Sequence, residues 1–271
     1  MEEPLLPPRR LMLRPVTSLH AEPDALSEQV TQALLGMEVS LLETYGGWAR
    51  IRTPDTYEGW CERLTLGELP NAWLAPEGEW AEIDELWANL RAQPEYRRAS
   101  ALGATLGVRL PLLERLDEGC GWVRLLAPDG RELWTEAQRV RQPSAPPRQR
   151  TARAIAATAR RLLGVPYLWG GCSPLGIDCS GFVQLVLGLH GIPLLRDAHQ
   201  QAEQGRPAPS PAAADLAFFA TGRDPARISH VALMLDTDRF LHAAGSDRVR
   251  LNRLSESPYR DQYLFSRRYL G

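Results

Sequence analysis

The chain contains no lysine: its 31 positive residues are all arginine, set against 33 acids for a formal net charge of -2. Arginine without lysine reflects genome composition more than partner choice, and the interleaved acids leave no basic stripe of the kind nucleic-acid binding requires. No nucleic-acid partner is therefore expected. Long apolar runs are missing as well. Nothing approaches the roughly 20 consecutive apolar residues needed to cross a bilayer, so no transmembrane segment is expected. The start, MEEPLLPPRRLMLRP, is acidic at once, broken by prolines and without a small-residue cleavage site, unlike a secretory signal. A cytoplasmic protein is predicted, or a periplasmic or extracellular one if a leader has been removed. Cysteine is scarce. The four present, Cys61, Cys120, Cys172 and Cys179, show no CxxC spacing and no flanking histidine pair, which argues against a zinc site. A chain of 271 residues with 44% apolar content needs no disulfide staple. The thiols are read as reduced, and no metal or organic cofactor is implied.

What is present points to more than one domain. From Arg9 to about Leu69, short β-type runs (Leu11–Leu13, Gln29–Leu35, Val39–Leu42, Trp48–Ile51 and Glu58–Cys61) are punctuated by Gly36, Gly46-Gly47 and Thr53-Pro54-Asp55, the residues that turns demand. This spacing suggests a small barrel. A second copy follows: Trp48 and Trp60 recur as Trp122 and Trp134, Pro54-Asp55 as Pro128-Asp129, and Leu41-Leu42-Glu43 as Leu112-Leu113-Glu114. Two matched barrels are the simplest account, with most of these tryptophans in their cores.

Between the barrels, Ile83, Leu86, Trp87 and Leu90 fall at i, i+3, i+4 and i+7. That spacing predicts an amphipathic helix over Glu79–Arg91, stopped by Pro94 and packing the barrels together. Pro143, Pro146 and Pro147 then mark an extended linker. The boundaries are placed at 1–72 for the first barrel, 73–141 for the helix and second barrel, and 149–271 for the last domain. This last domain opens with a helix over Thr151–Leu163 and a second from Ser180 to about His190. A loop over Leu194–Ser210 follows, then strands at Leu216–Ala220, His230–Leu235, Arg239–Ala243, Val249–Leu251 and Tyr263–Tyr269. Helices first and strands afterwards give an α+β domain.

The stretch from Gly164 to Gly191 carries the chemistry. A glycine-rich approach delivers Cys179 to the first turn of a buried helix, where unpaired N–H groups and the positive end of the helix dipole favour thiolate over thiol. A nucleophilic cysteine also needs a base. His230 opens the run HVALML and His242 lies in RFLHAA, across the turn Asp236-Thr237-Asp238. On a hairpin the two histidines become diagonal neighbours, so His242 can hold the tautomer of His230 as the third member of a triad.

Pro166-Tyr167-Leu168-Trp169-Gly170-Gly171, Asp178-Cys179-Ser180-Gly181-Phe182-Val183, Asp215-Leu216-Ala217-Phe218-Phe219 and Ser229-His230-Val231-Ala232 resemble, in order, the signatures of the NlpC/P60 family of papain-like cysteine peptidases. The paired glycine-tryptophan turns upstream resemble bacterial SH3 domains. The resemblance implies an α+β papain-like catalytic domain preceded by two small all-β SH3-like barrels, with Cys179 as nucleophile, His230 as base and His242 as third polar residue. It also implies that Tyr167, Asp178, Ser180, Arg196 and Ser229 contribute to the substrate cleft. The family's substrates are peptidoglycan stem peptides, cut at the γ-D-glutamyl bond to diaminopimelate or lysine. Ala213-Ala214 replaces the family's usual Pro-Gly before Asp215-Leu216, and Leu195 replaces a proline before Arg196-Asp197.

The order of domains is similar to a subgroup acting on peptides with a free N-terminal L-alanine, in which the first SH3 domain walls off one end of the cleft. Tyr57, within Asp55-Thr56-Tyr57-Glu58-Gly59-Trp60, is the candidate wall. An ammonium group in a closed cleft needs a carboxylate. Asp197 and Glu28 are the candidates, with Glu22 or Glu38 as alternatives to Glu28. Two other readings stay open: an acyltransferase or amidase using the same Cys-His site, and a non-catalytic wall-binding module carried by the barrels.

Overall fold

The computed structural model describes residues 7–70, 73, 79–115, 121–142, 145–245 and 247–271. It divides into two compact units, Met1–Ala145 and Pro146–Gly271. Cys61, Cys172 and Cys179 carry free thiols, whereas Cys120, expected to be reduced, lies outside the described residues.

The N-terminal unit repeats one topology. Its first sheet contains β1 (Arg9–Met12), β2 (Val16–His20), β3 (Gln29–Leu34), β4 (Glu38–Tyr45), β5 (Trp48–Arg52), β6 (Glu58–Glu62) and β7 (Leu66–Gly67), in the order β3-β2-β6-β5-β4-β1-β7. The second set contains β8 (Trp80–Ile83), β9 (Trp87–Leu90), β10 (Leu102–Thr105), β11 (Arg109–Arg115), β12 (Trp122–Leu126), β13 (Glu132–Glu136) and β14 (Val140–Arg141). These pair as β10-β9 and β13-β12-β11-β8-β14, and the backbones of Arg91 and Trp134 close the gap with reciprocal hydrogen bonds of 2.8 and 2.7 Å. The two orders match strand for strand, as an internal duplication requires.

The expected helix over Glu79–Arg91 is instead β8 and β9. Ala81, Ile83, Ala88 and Leu90 are buried while Trp80, Glu82, Trp87 and Asn89 are only half-buried, which is the two-residue period of a sheet. The helical spacing of Ile83, Leu86, Trp87 and Leu90 arose from two short strands read across the turn between them. Nor does that segment join the barrels as a helix would. Leu11 and Leu35 from the first barrel pack with Trp73, Ile83 and Leu110 in one apolar cluster. A separate core holds Met12, Leu19, Ala33, Val39, Ala49, Ile51 and Cys61. Of the four repeat tryptophans only Trp122 is buried; Trp48, Trp60 and Trp134 are half-buried, because Ala49, Ile51, Gly59 and Cys61 take the inward positions beside the first pair.

The C-terminal unit carries α1 (Ala152–Arg161), the short hairpin β15 (Cys172–Ser173) and β16 (Gly176–Ile177), α2 (Cys179–Leu189) and α3 (Ala198–Gln204). β17 (Arg206–Pro207), β18 (Leu216–Phe219), β19 (His230–Met234), β20 (Arg239–Ala243), β21 (Val249–Arg253), α4 (Tyr259–Gln262) and β22 (Tyr263–Arg268) follow. The strands form one sheet in the order β17-β22-β18-β19-β20-β21. Phe182, Val183, Val186 and Leu187 are fully buried on α2, which packs on β19 and β20. The other residues of the sheet bury Ala217, Phe219, Ala232, Met234 and Phe240 with Tyr259 of α4.

The stretch read as a loop, Leu194–Ser210, contains α3. Its Asp197 and Gln200 form a reciprocal capping box, the pairing of an N-cap side chain with the third helical residue. Ala214, where the family's glycine is replaced, sits at φ 70°, the left-handed region that glycine occupies without strain.

Candidate active site

Cys179 is the first residue of α2, and Asp178 is its N-cap. The Asp178 carboxylate accepts from the Gly181 amide at 2.7 Å and the Gly170 amide at 3.0 Å, tying the glycine-rich approach to the helix start. A methyl group on Gly181 would stand 2.2 Å from the Gly171 carbonyl oxygen, so only glycine allows this approach. Arg196, 1% exposed, grips the same carboxylate with Nη1 on Oδ1 at 3.1 Å and Nη2 on Oδ2 at 2.6 Å, and its Nη1 also donates to Ser180 Oγ at 2.8 Å. The Gln201 amide then donates to the Ser180 carbonyl at 3.1 Å. The Asp178 carboxylate and Ser180, behind Cys179, are thus held from several elements.

β19 and β20 pair with Leu233 opposite Leu241 and Met234 opposite Phe240, which sets His230 and His242 diagonally. His230 Nε2 and His242 Nδ1 are hydrogen-bonded at 2.7 Å, and both residues are buried. The Val231 amide, adjacent to His230, and the Ser180 amide both lie near enough to the Cys179 sulfur to stabilise its thiolate form. The two segments that the sequence separates by fifty residues therefore meet at Cys179. Behind His242, its Nε2 lies 3.0 Å from Asn252 Oδ1 and 3.4 Å from the Tyr259 hydroxyl. Neither Asn252 nor Tyr259 was marked by sequence reasoning. Only the strand register of β20 and β21 brings the former to His242.

At Cys179 the electrostatics set burial against the helix start. Burial, followed by the charge of Asp178, pushes the Cys179 thiol up, against the lowering exerted by the Val231 and Ser180 amides and Arg196. Burial likewise pushes His242 down to about 4, and burial together with His242 pushes His230 lower still. Tyr167 is half-buried, and burial, then the nearby charges of Cys179 and Asp178, raise its phenol to about 12.

The remaining candidates are placed as follows. Asp197 is partly exposed, and its side chain is engaged by the backbone of its own helix in the capping box. The Ser229 hydroxyl meets Thr221, with 2.8 Å to its amide and 2.9 Å to its hydroxyl. Tyr57 and Glu28 belong to the N-terminal unit, and Cys179 belongs to the C-terminal one. Tyr57 is half-buried beyond Thr56, which adopts φ 70°, and its carbonyl accepts from the Thr53 amide at 2.9 Å. Glu28 is exposed at the entry to β3.

Residues 164–268 match the model of the NlpC/P60 family, and residues 19–63 match that of the bacterial dipeptidyl-peptidase SH3 domain. The chain is 29% identical to a γ-D-glutamyl-L-lysine dipeptidyl-peptidase of Bacillus cereus over 262 residues, spanning 89% of this chain and 75% of that one. It is 27% identical to dipeptidyl-peptidase 6 of Lysinibacillus sphaericus, spanning 91% and 92%. The fold is that of an NlpC/P60 family protein from Bacillus cereus whose crystal structure superposes with a TM-score of 0.87 at 23% identity, over 97% of this chain and 100% of the other.

Proposed function

We propose, from the premise that this chain is a cysteine-type peptidase with an NlpC/P60 domain behind bacterial SH3 domains, that it hydrolyses peptidoglycan stem peptides at the γ-D-glutamyl bond to the diamino acid. It takes peptides with a free N-terminal L-alanine and releases L-Ala-D-Glu. The observation that carries this reading is Cys179 at a helix start beside the strand that begins at His230, with His230 hydrogen-bonded to His242, in an NlpC/P60 domain of a chain whose relatives over most of its length are named dipeptidyl-peptidases.

In the reaction, Cys179 Sγ attacks the γ-carbonyl carbon as its proton passes to His230. Backbone amides near Cys179 at the start of α2 stabilise the oxyanion. His230 returns the proton to the departing diaminopimelate or lysine amine, leaving a thioester on Cys179. Water, deprotonated by His230, then releases the dipeptide and restores the thiol.

A free L-alanine amine arises only after the stem peptide has been cut from its sugar, which fits a role in murein peptide recycling or wall turnover. Tyr57 and a carboxylate, from Asp197 or Glu28, are the proposed recognition groups for that amine. The test compares L-Ala-γ-D-Glu-diaminopimelate and its lysine counterpart with their N-acetylated forms. Free dipeptide from the unblocked peptides, at least about tenfold slower release from the acetylated ones, and none with Cys179→Ala are the expected results. Equal rates on blocked and free peptides would remove the amine requirement while leaving the peptidase in place.

A further inference from the structure

Beyond the three residues of the site, the polar chain continues through β21 to α4. His242 Nε2 lies 3.0 Å from Asn252 Oδ1, the Tyr259 hydroxyl lies 3.4 Å from that same oxygen, and Arg250 Nη2 donates to the Tyr259 hydroxyl at 3.1 Å. Arg250 is in turn paired with Asp247 at 3.0 Å. Arginine has donors only, so the Tyr259 oxygen accepts from Arg250 and must give its own proton elsewhere. The groups within its reach are Asn252 Oδ1 and His242 Nε2.

Only one arrangement gives the Tyr259 hydroxyl proton and the ring proton of His242 an acceptor each. With the Asn252 oxygen inward, it receives the Tyr259 proton and the proton on His242 Nε2. With the amide turned around, Asn252 and Tyr259 would both have to use the single lone pair on His242 Nε2. With the proton on His242 Nδ1 instead, two acceptors would face each other at 3.0 Å, an unfavourable contact in a buried site.

We propose that Asn252, backed by Tyr259 and Arg250, is a positioning residue that fixes the tautomers of both catalytic histidines. Its amide oxygen holds His242 as the Nε2–H form, so His242 Nδ1 must accept. The 2.7 Å contact then requires His230 to carry its proton on Nε2. That leaves the Nδ1 lone pair of His230 free to take the Cys179 proton. The inference rests on the cysteine-peptidase reading of Cys179 and His230 and not on the identity of the peptide.

The experiment uses the full chain. Side-chain 15N spectra distinguish protonated from unprotonated ring nitrogens and report both tautomers directly. Alkylation of Cys179 by iodoacetamide across pH reports its activation without a peptide substrate. In the wild-type spectrum, protons on Nε2 of both histidines are expected; a proton on His242 Nδ1 would overturn the proposal with no mutant required. Asn252→Leu removes the acceptor. It is expected to mix the tautomers of both histidines and slow alkylation by at least about tenfold. Asn252→Asp keeps an acceptor. It is expected to retain both tautomers and alkylate within about threefold of wild type, with the acidic limb of its pH profile moved upward as the new charge joins those of Arg250 and Asp247 near His242, whose other titratable neighbours are His230 and Tyr259.

Unchanged tautomers and alkylation in Asn252→Leu would refute the role. If that variant does not fold, the wild-type spectrum and Asn252→Asp decide. Failure to cleave the peptide, with tautomers and alkylation as expected, would count against the substrate reading alone.

Discussion

The Asp178–Arg196 pair invites the most demanding perturbation. The sequence resemblance assigns both residues to the substrate cleft, whereas the structure leaves the guanidinium side chain 1% and the carboxylate side chain 10% exposed, joined at 2.6 Å. Arg196→Leu keeps the bulk and deletes the charge. Removing one partner of a buried ion pair typically costs about 3–5 kcal/mol, chiefly because the other charge is stranded. Here Asp178 would keep the Gly170 and Gly181 amides and the Ser180 hydroxyl, which moves the expectation to the lower end, about 3 kcal/mol.

Hydrogen exchange of the full-length protein, read from peptides covering α2, measures this locally. A loss of about 3 kcal/mol corresponds to about a hundredfold fall in protection. Adding Asp178→Asn removes the stranded charge and is expected to restore at least about 1 kcal/mol of it. Arg196→Lys keeps the charge but not the two-point grip, and falls between. If α2 protection in Arg196→Leu stays within about twofold of wild type, which is under about 0.5 kcal/mol, the pair does not hold the helix start. If in addition KM alone rises, Arg196 acts on the substrate and not through Asp178.

Two further perturbations test neighbouring parts of the site. Gly181→Ala places a methyl group 2.2 Å from the Gly171 carbonyl; since that neighbour is backbone, a loss of at least about 2 kcal/mol and of peptidase activity is expected, and wild-type activity with an unchanged melting temperature would show that the approach loop gives way freely. The buried histidines have lowered pKa values in the fold, so the unfolded chain binds protons that the native state does not: their contribution is complete above about pH 6.5 and is lost as pH falls toward about 4, at up to about 1.4 kcal/mol per pH unit for each. Urea-denaturation midpoints across that window should fall more steeply for wild type than for the double variant His230→Gln, His242→Gln, and equal slopes would show that the pair does not bind protons differently on unfolding.

How much of this was legible depends on the range over which each signal acts. The start of α2 could be read because a cap, a glycine and an apolar run lie within a few residues, all of them local. The diagonal of His230 and His242 could be read because a short turn fixes the hairpin. The segment 79–91 was misread because apolar residues on two short strands mimic a helical stripe. The repeat held the correction: strands Arg9–Met12 and Val16–His20 occupy the same places in the first barrel as Trp80–Ile83 and Trp87–Leu90 in the second. The Asp197-x-x-Gln200 pattern at α3 was a local signal that went unused. Asn252 and Tyr259 had none, since their meeting with His242 depends on the register of β21 and the placement of α4.

The direction in which burial acts gives these distant residues their importance. In an imidazolium both ring nitrogens carry protons, and no tautomer has to be chosen. Burial raises the thiol and lowers both imidazoles, which favours the uncharged forms, and in an uncharged His230 a proton on the wrong nitrogen would remove the proposed base. Choosing the correct nitrogen through a hydrogen bond to the other one is the logic of a triad's third member. Since His242 is itself a neutral imidazole with the same ambiguity, it can only pass that choice along. The sequence of hydrogen bonds must end on a group without a tautomer, and in this fold the amide oxygen of Asn252 is where it ends.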